Sequence, residues 1–281
     1  MPQSLSYKVW FITGASKGFG YIWTEAALAR GDSVAAAARN IGSLDGLKAK
    51  YGDRLLPLTL DVGDKAAVDA AVEKAHKQFG RIDIAINNAG YGLFGAIEEV
   101  SEQEARAQIE TNLFGALWVT QAVLPIMRAQ ASGHIIQISS IGGVSAFPTI
   151  GLYHASKWGL EGFSQALASE VKGLGIKVTI IEPGGFATEW GTTSAHRAKQ
   201  LPAYDAARAA IASFRTAATP GDPKATASAL LRIVDAAEPP LRVFFGDGGL
   251  PMAKREYAER IATWEKWNDV SVEAQGSLAA H

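Results

Sequence analysis

Short β-rich apolar runs alternate with helical patterns from the start of the chain to about Pro183, and this alternation constrains the fold more than any other feature of the sequence. Parallel strands cannot be joined by a tight turn; they need a crossover, and a helix supplies one. Runs at Lys8–Ile12, Ser33–Ala38, Leu55–Leu60, Ile82–Ile86, His134–Ser139, Lys177–Ile181 and Leu241–Phe244 predict seven strands. Right-handed crossovers then place helices on both faces, giving an α/β, doubly wound, seven-stranded parallel sheet with its ligands beyond the strands' carboxyl ends.

No repeat, low-complexity tract or flexible linker divides the 281 residues, so residues 1–281 are read as one domain. Two segments stand apart. Pro183–Pro223 carries a loop and an Ala-rich helical pattern, and is expected to be an insertion over the site; Gly246–His281 is a C-terminal extension whose Trp264 and Trp267 are expected to pack. A net charge of −1 and the lack of a basic stripe argue against a nucleic-acid partner. With no cysteine there can be no disulfide, thiolate metal site or thiol nucleophile. No apolar run approaches the roughly 18 residues that span a bilayer, and Met1–Ser4 leads directly into a strand-length run, so a soluble cytoplasmic protein without a membrane partner is expected.

The first predicted strand is followed by Thr13-Gly14-Ala15-Ser16-Lys17-Gly18-Phe19-Gly20 and then a helical run to Arg30. Glycines there let the backbone turn tightly and approach a pyrophosphate, while the free N–H groups of the helix start attract it. This first β-to-α junction is where a dinucleotide site of Rossmann type belongs, although a bare turn would also use glycine. The second strand ends Ala38-Arg39-Asn40 without the acid that would accept from a ribose 2′-hydroxyl. Arg39 can grip a 2′-phosphate and Lys17 can add a second cation, so NADP(H) is expected over NAD(H); the plainer alternative is two solvated surface cations.

Tyr153 and Lys157 fall one turn apart on a helix predicted to reach about Gly173. An ammonium about 4 Å from a phenol is worth roughly 4 kcal/mol at an effective dielectric near 20, enough to draw its pKa of about 10 down by about three, against the opposing effect of burial. Such a phenol can give a proton to a carbonyl oxygen or take one from an alcohol. Either Ser139 or Ser140, at the end of the fifth strand, can point a hydroxyl at the same oxygen.

The ordered set Thr13–Gly20, Asp61-Val62, Asn87-Asn88-Ala89-Gly90, Asn112, Ser140, Tyr153-x-x-x-Lys157 and Pro183-Gly184 resembles the short-chain dehydrogenase/reductase superfamily in its shorter form, from about Lys8 to Thr188. The resemblance implies Tyr153 as acid/base, Lys157 as the group that lowers its pKa and holds the nicotinamide ribose, and Ser140 as the residue that orients the substrate. It implies a proton relay in which the backbone of Asn112 holds a water linked to Lys157. By the same likeness Asp61 and Val62 contact adenine, Asn88, Ala89 and Gly90 lie beside the adenosine ribose, and Pro183, Gly184 and Thr188 meet the nicotinamide. Asn87 is implied to tie central strands together. Hydride transfer from the pro-S face, and homodimers or homotetramers built on the helices near Glu104–Ala129 and Tyr153–Gly173, are also implied. Beyond about Gly185 the likeness is loose and carries nothing about the substrate.

His154 is expected to be a bystander, because adjacent helix positions face different ways. His76, His134, His196 and His281 are scattered, and no His/Asp/Glu cluster has metal-ligand spacing, so no metal is expected. Phe94, Phe147, Phe186, Trp190 and Phe214 would suit a bulky apolar substrate and equally suit packing. The expected function is hydride transfer between NADP(H) and a carbonyl or secondary alcohol. The rivals are a non-catalytic NADP(H)-binding redox sensor, whose mark would be loss of Tyr153 or Lys157, and an epimerase or dehydratase that keeps its cofactor.

Overall fold

The first element, β1 (Val9–Thr13), leads through α1 (Gly18–Ala29), β2 (Ser33–Ala38), α2 (Asp45–Tyr51), β3 (Leu55–Thr59) and α3 (Lys65–Phe79) to β4 (Ile84–Asn87). This computed structural model describes residues 7–217 and 219–276, with backbone alone for 213–217. A two-residue strand β5 (Leu93–Phe94) precedes α4 (Glu102–Ile109), a π-helical turn over Glu110–Phe114, α5 (Gly115–Gln130), β6 (Gly133–Ile138), α6 (Gly151–Val171) and β7 (Ile176–Pro183). The last third holds β8 (His196–Arg197), α7 (Asp205–Ala217), α8 (Thr226–Asp235), β9 (Arg242–Phe245), α9 (Gly249–Lys266) and α10 (Asn268–Gln275).

Seven strands form one parallel sheet in the order β3-β2-β1-β4-β6-β7-β9, so the seven predicted strands all exist, with ends displaced by no more than two residues. This is the doubly wound Rossmann architecture, and its order reverses at β1 and β4, where the chain ends of neighbouring strands part to leave a crevice. Period-two alternation decides which core each side chain enters. Trp10 and Ile12 join Trp23, Leu28, Leu230 and Ile233 on one face, while Phe11 joins Val68, Val119, Val123 and Leu167 on the other.

Two expectations needed correction. The helical pattern over Glu104–Ala129 is not one helix: the π-turn splits it and carries Asn112 inward to near-complete burial. Weaker helical bonding is offset there by three side-chain hydrogen bonds from the Asn112 amide, two with the Tyr91 backbone and one to Ser156. Trp264 and Trp267 do not pack into this chain's core, being 65% and 59% exposed, because α9 runs off the body after its buried start at Gly249 and Ala253. Phe214 and His281 lie outside the described side chains and residues. No helix among the described residues is long and apolar enough to cross a membrane, and none of their acids and histidines cluster as a metal site.

At the sheet's far edge Glu182 of β7 and Glu161 of α6 meet under a single guanidinium. Arg242 donates Nε to Glu161 at 2.9 Å and stands 3.6 Å from Glu182. Burial first, and the Glu161 charge second, push the Glu182 carboxyl up to about 8 against the pull of Arg242. A folded-state value raised above the ordinary 4.5 stabilises fully below that ordinary value and is lost as pH rises through about 8. Thermal midpoints measured by circular dichroism should therefore fall between about pH 4.5 and about pH 8 more steeply for the wild type than for Glu182→Gln, and level off above. Equal slopes would mean that no proton is held there.

Candidate active site

The turn after β1 is built by close approach. Gly14 sits at φ 65°, and a Cβ there would lie 2.9 Å from Asn88 Nδ2 and 3.0 Å from the Ala89 Cα; one on Gly20 would stand 2.3 Å from the Gly14 carbonyl oxygen. Only glycine tolerates both the dihedral and the contact. Asn88 Nδ2 donates to the carbonyls of Thr13 and Gly14 at 3.0 and 3.1 Å, and the Asn88 and Ala89 N–H groups donate to Thr13 Oγ1 at 3.0 Å each. The turns after β1 and β4 are thus one stitched unit, at the point where strand order reverses. Asn87 ties β4 to its neighbours as expected, its amide donating to Ala116, Thr120 and Gln137.

The other expected cofactor residues follow β1, β2, β3 and β7 at their carboxyl ends. Phe19 stacks on Trp23 and meets Phe186 edge-on; the Ser16 carbonyl accepts from Ser43. Asp61 is exposed and accepts from Gly63 N–H, whereas Val62 is buried against Gly115. Arg39 is exposed and makes no ion pair among the described residues. Lys17 differs: its Nζ pairs with Glu189 at 3.1 Å, so its charge is already balanced from across the crevice. At the end of β7, Gly184 N–H donates to Phe245, and Thr188 Oγ1 accepts from Trp190 N–H to start a 3-10 turn over Glu189–Gly191.

Helix α6 carries Tyr153 and Lys157 to the carboxyl end of β6, both buried. Lys157 Nζ donates to the Ile138 carbonyl at 2.7 Å and lies 5.8 Å from the centre of the Tyr153 ring. A Cβ on Gly90 would stand 3.1 Å from Asn112 Oδ1 and 3.7 Å from Lys157 Nζ, which places Gly90, Asn112 and Lys157 together. Of the two serines it is Ser140 that acts on the phenol, drawing its pKa down, while the Ser139 hydroxyl is buried and without a partner. Burial pushes Tyr153 up to about 12, with Ser140 pulling the other way. Burial also drives Lys157 down to about 8, against the Glu161 charge. The expected lowering of the phenol by the ammonium is therefore not its resting condition; desolvation outweighs it while Lys157 is committed to Ile138.

Between Gly185 and Gly221 the chain leaves and returns through a bridge from Phe186 to Gly221, and β8 pairs with β5 to hold the excursion against the body. Trp190 lies at its inner side, 4.9 Å from the Tyr153 ring and 5.6 Å from Phe94. Phe147 meets His154 at 5.3 Å, so Phe94, Phe147 and Trp190 gather near the phenol while Phe186 faces the glycine turn.

Residues 8–199 match the short chain dehydrogenase family. The chain belongs to that family. Oxidoreductase BOA17 of Botryotinia fuckeliana (strain B05.10) is 41% identical over 269 residues, 94% of this chain and 98% of that protein. The crystal structure of a short-chain dehydrogenase from Streptomyces avermitilis superposes with a TM-score of 0.90 at 38% identity, over 97% of this chain and all of its own. The closed form of serine dehydrogenase complexed with NADP+ follows at a TM-score of 0.74 and 27% identity, over 84% of this chain and 94% of its own. This short-chain dehydrogenase is an oxidoreductase.

Three residues at the site were not foreseen as participants. Ser156 receives Asn112 Nδ2 at 3.2 Å and donates to the Tyr153 carbonyl at 2.6 Å, Glu189 occupies Lys17, and His154 is buried and bonded to the loop that follows Ser140. Glu189 and Lys17 are 172 positions apart, so no local spacing could reveal them. Substituting Gly20→Ala should force the Gly14 carbonyl aside, costing about 1–3 kcal/mol in urea unfolding and at least about tenfold in NADPH affinity by fluorescence titration. A variant with unaltered affinity would show that this close approach does not shape the cradle.

Proposed function

We propose that this short-chain dehydrogenase uses NADPH to reduce a carbonyl compound, with Tyr153 as proton donor, Lys157 and Ser140 stabilising the charge it leaves, and Asn112 linking Lys157 to solvent. The buried Tyr153 phenol carries the reading: Ser140, just beyond β6, acts on it, and an ammonium stands one helical turn away. At neutral pH this phenol holds its proton, as an acid must. When the carbonyl oxygen takes that proton, the phenolate left behind has Ser140 on one side and the Lys157 ammonium on its own helix face. Reoriented from Ile138, Lys157 restores the proton, and its place against Gly90 and Asn112 offers the way back to water. A phenol so reluctant to ionise works against alcohol oxidation at neutral pH and favours reduction.

The cradle fits a dinucleotide. Gly18, at φ 54°, has nothing within 4 Å of where a Cβ would stand, so the turn is open on its outer side. Gly14, Ser16, Lys17, Gly18, Phe19 and Gly20 would hold the pyrophosphate end. Arg39, which has no acidic partner among the described residues, would hold the 2′-phosphate that selects NADP(H) over NAD(H). Asp61 and Val62 would meet adenine, Asn88, Ala89 and Gly90 the adenosine ribose, and Pro183, Gly184 and Thr188 the nicotinamide, with Tyr153 and Lys157 beside its ribose. When bound, NADPH supplies the hydride to the carbonyl carbon. Serine dehydrogenase, a related structure that binds NADP+, supports that choice. Phe94, Phe147 and Trp190 favour a bulky apolar group on the substrate. We read residues 1–281 as one dinucleotide-binding domain with an insertion near 183–223 and an extension at 246–281, acting in the cytoplasm. A homodimer or homotetramer would use α5 and α6, whose neighbourhood leaves Phe114 and Trp158 partly exposed.

Tyr153→Phe should lower kcat for NADPH-dependent carbonyl reduction by about 10²–10⁴-fold with the cofactor Kd nearly unchanged; intact turnover would refute the assignment. Arg39→Ala should weaken NADPH by roughly tenfold to a hundredfold and leave NADH within about twofold, measured by fluorescence titration. Because Lys157 must be charged to steady the phenolate and loses its proton near 8, kcat should hold to about pH 7 and fall above about pH 8.

A further inference from the structure

His154 follows the proton donor directly, yet its ring is tied to the backbone at both nitrogens. Nδ1 lies 2.9 Å from the Gly142 carbonyl oxygen, and Phe147 N–H donates to Nε2 at 2.9 Å. A carbonyl can only accept and an N–H can only donate, so the partners dictate one tautomer: neutral, with the proton on Nδ1. Gly142 is held from its other side by the catalytic serine, its N–H donating to Ser140 Oγ at 3.0 Å. Contact is tight enough that a Cβ on Gly142 would stand 2.6 Å from His154 Nδ1 and 3.3 Å from the Tyr153 ring. Since Ser140 Oγ accepts from Gly142, the serine's own proton is free to point at the phenol or the substrate oxygen.

We propose that His154 is a positioning residue: its two imidazole bonds clamp the 141–147 loop to α6 one residue from Tyr153, so that Gly142 aims the Ser140 hydroxyl and Phe147 is held as a wall of the substrate cleft. This rests on the reading of Tyr153 and Ser140 given above. Protonation would break the clamp, because an imidazolium has no lone pair for Phe147 N–H. Burial keeps the ring neutral, holding its pKa below the ordinary 6.5 despite the two backbone bonds. Tyr153 is the titratable group whose ring it touches on α6, with Lys157 a turn further on; from α9, Arg260 reaches the same loop at the Val144 carbonyl. Tyr153 and Lys157 titrate on the alkaline side, so an acid-side loss of kcat belongs to neither.

The test combines kinetics at saturating NADPH with ¹⁵N NMR of the imidazole. His154→Leu should lower kcat by roughly 10- to 100-fold, with NADPH affinity within about twofold and a cooperative thermal transition. His154→Asn, whose amide can replace Nδ1–H toward Gly142, should recover part of that kcat with KM for the carbonyl above the wild-type value, and its kcat should lack the acid-side fall expected of the wild type. NMR should show a neutral ring protonated on Nδ1 and bare on Nε2. Should His154→Leu keep wild-type kcat, or the ring prove to be the Nε2–H tautomer, the clamp is refuted while the Tyr153 assignment stands. Turnover surviving in Tyr153→Phe would remove the reading beneath it. If His154→Leu does not fold, the NMR tautomer and the missing acid-side fall in His154→Asn decide the matter alone.

Discussion

A buried ammonium must be hydrogen-bonded or it will shed its proton, and Lys157 meets that demand at the Ile138 carbonyl. Much of the site follows from this one bond. It pins α6 against the end of β6, which sets Tyr153 one turn earlier opposite the serine that continues the same strand. It also explains the resting state: with the lysine committed to backbone and the phenol desolvated, the phenol keeps its proton. In the proposed mechanism proton transfer to a substrate is the step that calls on the ammonium, so charge stabilisation would arrive when charge develops and not before.

A second rigid element stands on the other side of the crevice. Thr13, Gly14, Asn88 and Ala89 are bonded so closely that the turns after β1 and β4 cannot move separately. The buried Asn112 amide extends the stitching to Tyr91 and Ser156, and through Ser156 to the Tyr153 backbone. Between these two braced walls lies the excursion from Gly185 to Gly221, whose contacts across the crevice include an exposed ion pair, Lys17 with Glu189. Such a pair is worth little in water. Firmer holds on the covering segment are the β5–β8 ladder, the aromatic contact of Trp190 with Phe94 and Tyr153, and the buried Glu99 carboxylate, which accepts from Leu201 N–H and pairs with Arg208.

Much of the sheet was legible because parallel strands buried on both faces leave a plain mark: Trp10-Phe11-Ile12, Val34 to Ala38 and Ile135-Ile136 are apolar without interruption. The glycine turn was legible too, since Gly14 and Gly20 answer to steric limits that no other residue meets. Less visible was the π-turn at Glu110–Phe114, because one extra residue in a helix hardly alters its apolar periodicity. The surroundings of His154 were hidden for a related reason. Position on a helix indicates a direction, but only the folded loop shows what lies in that direction.

The sequence by itself determined the strand count, the crossover architecture, the tight glycine turn after β1 and the one-turn spacing of Tyr153 and Lys157, since each depends on local sterics or on period. Tertiary structure alone decided where Lys17 and Lys157 spend their charge, and that desolvation rather than the neighbouring ammonium governs the resting phenol. Those outcomes depend on distances between segments far apart in the chain and on exclusion of water, and neither quantity is written in any local run of residues.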